Sequence, residues 1–161
     1  MSDTALDTFP KLLLHNAARW PDRPAMREKE FGIWNVYGWA DCRDRVREIA
    51  LGLAALGIRR GEVVALLGRN RPNWVWSELA AHALGCMSLG IYEDVLAAEA
   101  GYLLGYAEAA AIVCEDEEQV DKILQLGPAA SSLRAIVYHD DRGMRKYVDP
   151  RLVAWADLIE R

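Results

Sequence analysis

Chemistry in this 161-residue chain has to come from a short set of side chains: three histidines, three cysteines and one adjacent pair of aspartates. His15, His82 and His139 lie far apart, and none has a second histidine or a cysteine at ligand spacing, so each reads as structural or solvated. Cys42, Cys86 and Cys114 are scattered, odd in number and without a CxxC pair, which argues against a zinc clasp or a disulfide frame and suits a reducing, cytoplasmic setting. Cys114 precedes Glu115 and Asp116, whose charge opposes thiolate formation, so it reads as a small buried apolar residue rather than a nucleophile. Asp140 and Asp141 resemble the paired acids with which a phospho-receiver holds magnesium. That architecture sets its acids after the first strand of the sheet, whereas here they follow the fourth apolar run.

Phosphate chemistry is the conspicuous gap. No strand-like run is followed by a glycine-rich loop with a lysine or by a string of hydroxyls. Gly68-Arg69-Asn70, after Leu67, offers a single glycine, which argues against a small flavodoxin-like nucleotide or flavin binder. The residues themselves therefore assign no catalytic, cofactor-binding or metal-binding position. Gly101 and Gly105 have the spacing of a close-packing helix pair, and with Tyr102 and Tyr106 beside them the meaning is packing.

Composition bounds the rest. A chain of this length buries about 70% of its extended surface as one domain. The 52% hydrophobic and 27% charged content, with six tryptophans and no repeat, is that of a folded globular chain. A net charge of -5 disfavours nucleic acid, and the basic cluster Arg142, Arg145 and Lys146 is offset by Asp140, Asp141 and Asp149. Met1 to Thr8 lacks the basic start and apolar stretch of a secretion signal. The longest apolar zone, Leu79 to Tyr92, is shorter than a membrane span and broken by His82, Gly85 and Gly90, which leaves only peripheral contact with lipid open.

The elements follow from periodicity. Thr8 caps a helix from Phe9 to Arg19, stopped before Pro21. Ala25 to Lys29 and Ile33 to Tyr37 flank Gly32 as a hairpin. Cys42, Val46, Ile49, Ala50, Leu53 and Leu56 mark a helix from Trp39 to Leu56, ended by Gly57 and begun at Gly38, with Asp41 as the acidic half of a capping box. Val63 to Leu67 is apolar throughout, as in a strand buried on both faces. Asn70 and Pro72 open an apolar helix. Leu89 to Tyr92, Ala111 to Cys114 and Arg134 to Tyr138 add strands, Ala97 to Ala107 and Glu117 to Leu126 add helices, and Leu152 to Glu160 is read as a final helix. The predicted class is α/β: a three-layer, mostly parallel sheet with helices on both faces, preceded by an N-terminal helix and β-hairpin. Residues 1–38 form the lead-in and residues 39–161 the alternating lobe. Arg161 closes the sequence with no capping glycine or polar tail, which reads as a truncated domain.

Four stretches then carry a resemblance: Trp20-Pro21-Asp22-Arg23-Pro24-Ala25, Leu53-Ala54-Ala55-Leu56-Gly57-Ile58, Gly61-Glu62-Val63-Val64-Ala65-Leu66 and Asn70-Arg71-Pro72-Asn73-Trp74. With Gly90-Ile91-Tyr92, Glu117 to Lys122 and Tyr138-His139-Asp140-Asp141-Arg142-Gly143, their order over residues 5–160 resembles the opening of AMP-forming acyl-CoA synthetases, in particular the long-chain fatty-acid branch. The resemblance implies that residues 1–161 are the N-terminal portion of a large adenylate-forming domain and an incomplete lobe of that fold. It also implies a reaction for the whole enzyme, in which a fatty carboxylate, ATP with magnesium and coenzyme A give acyl-CoA through an acyl-adenylate. The family's Ser/Thr/Gly-rich loop with its lysine, its Thr-Glu pair, its adenine-binding aromatic segment and its ribose-binding aspartate are absent from this sequence. So the resemblance transfers no catalytic residue, no bound cofactor is expected, and the chain alone is expected to be a non-catalytic scaffold whose partner is the remainder of the ligase. The alternative is a free-standing interaction module or split-ligase subunit. Where family members commonly carry proline before the Ile-Tyr of the second strand this chain has Gly90, and Glu93-Asp94 follows; Asn73 stands where glutamate is frequent. Trp74 and Trp76 could line an acyl-chain tunnel, but two tryptophans on an apolar helix fit a core better.

Overall fold

A computed structural model describes residues 5–160 of the chain. Met1 to Thr4 and Arg161, on which the signal-peptide and chain-end readings partly rest, lie outside the described residues. The first helix, α1 (Phe9–Arg19), starts at Thr8, whose hydroxyl accepts from the Lys11 N–H. It leads into an antiparallel hairpin of β1 (Pro24–Glu30) and β2 (Ile33–Gly38). The two-residue turn sets both Phe31 and Gly32 at positive φ, 47° and 82°, the mirror-image turn that matches the twist of paired strands. In α2 (Trp39–Ala55) the expected stripe Cys42, Val46, Ile49 and Leu53 is buried, and the Asp41 carboxylate accepts from the Gly38 N–H at 2.8 Å, so the acidic half of the cap exists without a hydroxyl partner.

The remaining elements alternate: β3 (Val63–Leu67), α3 (Pro72–Ala83), β4 (Met87–Ile91), α4 (Ala97–Tyr106), β5 (Ala111–Cys114), α5 (Glu117–Leu124), β6 (Ala135–Tyr138), β7 (Leu152–Ala154) and α6 (Trp155–Ile159). The five strands β3 to β7 form one parallel sheet in the order β4-β3-β5-β6-β7. The chain goes outward from β3 to β4, then returns past β3 to β5 and continues outward on the other side. A constant crossover hand requires the connecting helices to change faces when the direction reverses. The two cores obey this. One side of the sheet, with Val64 and Leu66, packs on α1, α2, α3 and α6; the other, with Val63, Ala65 and Leu67, packs on α4 and α5. Every residue of β3 is buried because it lies between both layers and between two strands.

Three expectations need correction. Leu152 does not begin a helix: Leu152, Val153 and Ala154 pair with Ile136, Val137 and Tyr138 as a fifth strand, and α6 starts at Trp155. A three-residue apolar run has no readable period, and burial of Val153 against the sheet decides the outcome. Asn70 does not cap α3. Pro72 forces the residue before it into extended backbone, so Arg71 (φ -102°, ψ 165°) stands at the boundary and makes no side-chain cap bond. Finally, β4 begins at Met87 and ends at Ile91, leaving Tyr92 outside the strand.

Candidate functional site

Reversal of the chain's direction places a crevice at the C-terminal ends of β3 and β5, the position where open α/β sheets present their loops to ligands. Three loops meet there: Gly68 to Arg71 after β3, Glu115 and Asp116 after β5, and His139 to Arg142 after β6. Backbone bonds continue the sheet register into them, with Glu115 N–H on the Leu67 carbonyl at 3.0 Å and Asp140 N–H on the Glu115 carbonyl at 2.9 Å. Gly68 lies at φ 154°, and a Cβ there would come within 2.7 Å of the Glu115 Cβ, so the two loops touch through the missing side chain.

Glu115 is the hub. Its carboxylate accepts from the Arg69 backbone N–H at 2.8 Å, from Arg69 Nη2 at 2.6 Å and Nε at 2.9 Å, and pairs with Arg71 Nε at 3.1 Å. Burial works against its ionisation, but the Arg69 donors and the charges of Arg69 and Arg71 prevail and hold it below the usual carboxylate value. Arg69 also reaches Glu93 at 3.3 Å, and Arg71 reaches Glu28 at 3.3 Å and Glu30 at 3.9 Å. One guanidinium therefore ties the hairpin to the sheet. His139 hydrogen-bonds Asn73 of α3 and stands edge-on to Trp155 of α6, ring centres 5.1 Å apart. Burial lowers its pKa below the ordinary value, Asp140 opposes this, and Arg71 adds to it.

The crevice is occupied by the chain's own ion pairs. The enclosed part of the crevice, between Leu67, Trp74, Val113 and Cys114, measures about 30 Å³, room for a water molecule or two, and the open trough outside it about 440 Å³. The donors that would hold a phosphate, the Arg69 N–H and both guanidinium groups, are already taken by carboxylates of the chain itself. Outside it the shallow trough carries Glu30, Asp116, Asp140 and Asp141 against Lys29 and Arg142. Asp140 is bound by Arg142, and among the described residues no three His, Cys, Asp or Glu groups converge as metal ligands. What the crevice does chemically is join three loops and a hairpin through half-buried and exposed charge.

Other candidates are dispersed. His15 is exposed on α1, and His82 bonds Ser88 at 3.0 Å and stacks on Phe9. All three cysteines are buried and unpaired with one another; burial, aided by Asp116, pushes the Cys114 thiol far up. Trp76 is in the core, its ring edge-on to Tyr37 at 4.9 Å, as expected. Trp74 is only half-buried and borders the crevice, and Gly90 makes room for it: a Cβ at 90 would lie 3.1 Å from the indole. Of the helical glycine pair, Gly101 packs on Leu126, whereas Gly105 faces open space. In the sequence Glu115 stands out only for its effect on Cys114, and the hub is a finding of the structure. The available signal was positional: arginines two apart after one central strand and a glutamate after the next.

Fold and crevice together define a doubly wound α/β lobe whose switch-point cleft is closed by its own ion pairs. The family model of AMP-binding enzymes matches residues 13–154, and the chain belongs to that family. The long-chain-fatty-acid–CoA ligase ACSBG2 of Mus musculus is 28% identical over 154 residues, 95% of this chain and 23% of that protein. The uncharacterized protein Rv1549 of Mycobacterium tuberculosis is 32% identical over 107 residues, 66% of this chain and 59% of that protein. Acetoacetyl-CoA synthetase from Streptomyces lividans superposes with a TM-score of 0.79 at 24% identity, over 94% of this chain and 25% of that one, which is a likeness of fold. The chain thus spans about a quarter of the length of the ACSBG2 ligases it matches.

Proposed function

We propose that this chain is the N-terminal portion of a long-chain fatty-acid–CoA ligase and serves it as scaffold. Residues 1–38 are the lead-in, and residues 39–161 one lobe of the adenylate-forming domain. In the complete reaction a fatty carboxylate displaces pyrophosphate from ATP to give acyl-adenylate, and the thiol of coenzyme A then displaces AMP. ATP, magnesium and coenzyme A are assigned to polypeptide beyond these residues, and a cytoplasmic location accords with three free cysteines. No helix among the described residues is long and apolar enough to cross a membrane.

The observation that carries the scaffold reading is that Glu115, Glu93 and Glu28 already pair with Arg69 and Arg71, the two guanidinium groups at the switch point. The 161-residue chain, incubated with palmitate or oleate and ATP, is expected to give no ATP–pyrophosphate exchange. Exchange at enzyme-like rates overturns the reading.

A second reading, a free-standing module or split-ligase subunit, is favoured by Rv1549, of which the match covers 59% rather than a quarter. Size-exclusion chromatography separates the two. A monomer with no affinity for the C-terminal remainder of such a ligase ends the second reading.

A further inference from the structure

The tip of the β1–β2 hairpin breaks a local rule without any gain inside the fold. A two-residue turn with both residues at positive φ favours Asn-Gly, because asparagine tolerates the left-handed region and a bulky side chain is strained there. This chain places Phe31 at φ 47°, with 91% of its surface exposed. Ile33, Trp34 and Val36 follow at 68%, 62% and 52% exposure. Phe31 stands at the turn, Trp34 and Val36 lie on one face of the ribbon and Ile33, paired with Glu30, on the other, so large apolar side chains are exposed on both sides of the tip, as at a contact surface.

The strand register shows what the surface is made for. Lys29 pairs with Trp34 and Arg27 with Val36, so both cations share the outward face with Trp34 and Val36, and the Lys29 ammonium sits 6.0 Å from the indole centre. The intervening Glu28 and Glu30 belong to the opposite face, where Arg71 holds them. Among the described residues neither Arg27 nor Lys29 has a carboxylate partner. A chain of net charge -5 thus places two cations without carboxylate partners on the Trp34–Val36 face of the hairpin, Lys29 standing also at the rim of the trough beside the crevice. Apolar and aromatic groups at the tip with lysine and arginine behind them match the profile of an anionic bilayer surface, acyl chains below and phosphate above. A groove for a peptide would be concave, and this surface is a ridge.

We propose that the hairpin tip is a peripheral lipid-binding element: Phe31 and Trp34 enter the interfacial layer of an anionic membrane, and Arg27 and Lys29 engage its headgroup phosphates. The proposal rests on the hairpin alone and stands whether or not the chain belongs to a fatty-acid ligase. It is tested by co-sedimentation of the chain with vesicles of phosphatidylcholine containing about one third phosphatidylglycerol, against pure phosphatidylcholine. Binding is expected to the anionic vesicles, to weaken with added salt, and to fall by about tenfold or more in Phe31→Asn/Trp34→Ser, each lost aromatic removing interfacial contact. Arg27→Glu/Lys29→Glu is expected to abolish the preference for phosphatidylglycerol. Circular dichroism and urea midpoints show that each variant remains folded. Absence of binding to anionic vesicles, or binding unchanged in the aromatic double variant, overturns the proposal. So does self-association in sedimentation velocity that this variant abolishes in the absence of lipid binding, which would make the tip a contact between copies.

Discussion

Arg69 and Glu115, 46 positions apart, are joined by three hydrogen bonds, one from the backbone N–H of Arg69 and two from its guanidinium group. The pair closes the switch point between β3 and β5, where the chain's connections change direction, and Arg71 extends it to the hairpin through Glu28. Glu115→Gln keeps the shape and an acceptor for the N–H but removes the charge facing two guanidinium groups. It is expected to lower stability by about 1–3 kcal/mol in urea unfolding. The same change at exposed Glu108 is expected to do almost nothing. Equal effects at the two positions would remove Glu115 from its place as hub.

Acid should loosen the fold in two stages. Glu62, Asp140 and Asp149 titrate below their ordinary values through bonds from Arg134, Arg142 and Arg151, and Glu115 does so in spite of burial. For these groups the unfolded chain takes up protons first as pH falls. Their contribution is complete above the ordinary carboxylate range and disappears below it. His139 is depressed from 6.5 by burial, so its contribution is complete above that pH and lost first on acidification. The Tm of the wild-type chain is expected to fall between pH 6.5 and about 5, and His139→Gln is expected to flatten that segment while leaving the deeper acid transition. A profile unchanged by the substitution would show that another group titrates there.

Most of the fold was legible in residue order. The apolar run of β3 and the 3.6-residue stripe of α2 follow directly from burial on two faces and on one, and the structure places both as expected. Thr8, Gly38 with Asp41, and Gly57 mark helix limits because each answers a specific backbone need. What was not legible depends on neighbours distant in sequence. Leu152 to Ala154 become a strand only because β6 is beside them, and Glu115 becomes a hub only because Arg69 and Arg71 emerge from the adjacent strand. The reason for a glycine at position 90 becomes visible only once the Trp74 indole is seen against it.

Two helical glycines provide a controlled comparison. Gly52 of α2 faces α6, and a Cβ there would strike the Leu158 carbonyl and side chain, whereas a Cβ at Gly105 of α4 meets nothing within 4 Å. Alanine favours helix at both positions. Gly105→Ala is therefore expected to raise stability by about 0.5 kcal/mol. Gly52→Ala is expected to lower it by about 1–3 kcal/mol, because α6 must shift away from the core it covers. Urea midpoints read both, and a neutral Gly52→Ala would mean that α6 does not pack where it is described.

Phe31 separates a stability role from a surface role by the sign of one measurement. A residue kept for the fold loses contacts when replaced, and its replacement destabilises. Phe31 has almost no contacts to lose at 91% exposure, and its φ of 47° is strained for a bulky side chain. Asparagine relieves that strain in the same turn geometry, so Phe31→Asn is expected to stabilise the isolated chain, by about 1 kcal/mol. Val36→Thr, on the outward face of the same hairpin and also exposed, is expected to leave the urea midpoint nearly unchanged. A loss of stability in Phe31→Asn would mean that the tip supports the hairpin, and the aromatic residue would then need no external surface to explain it.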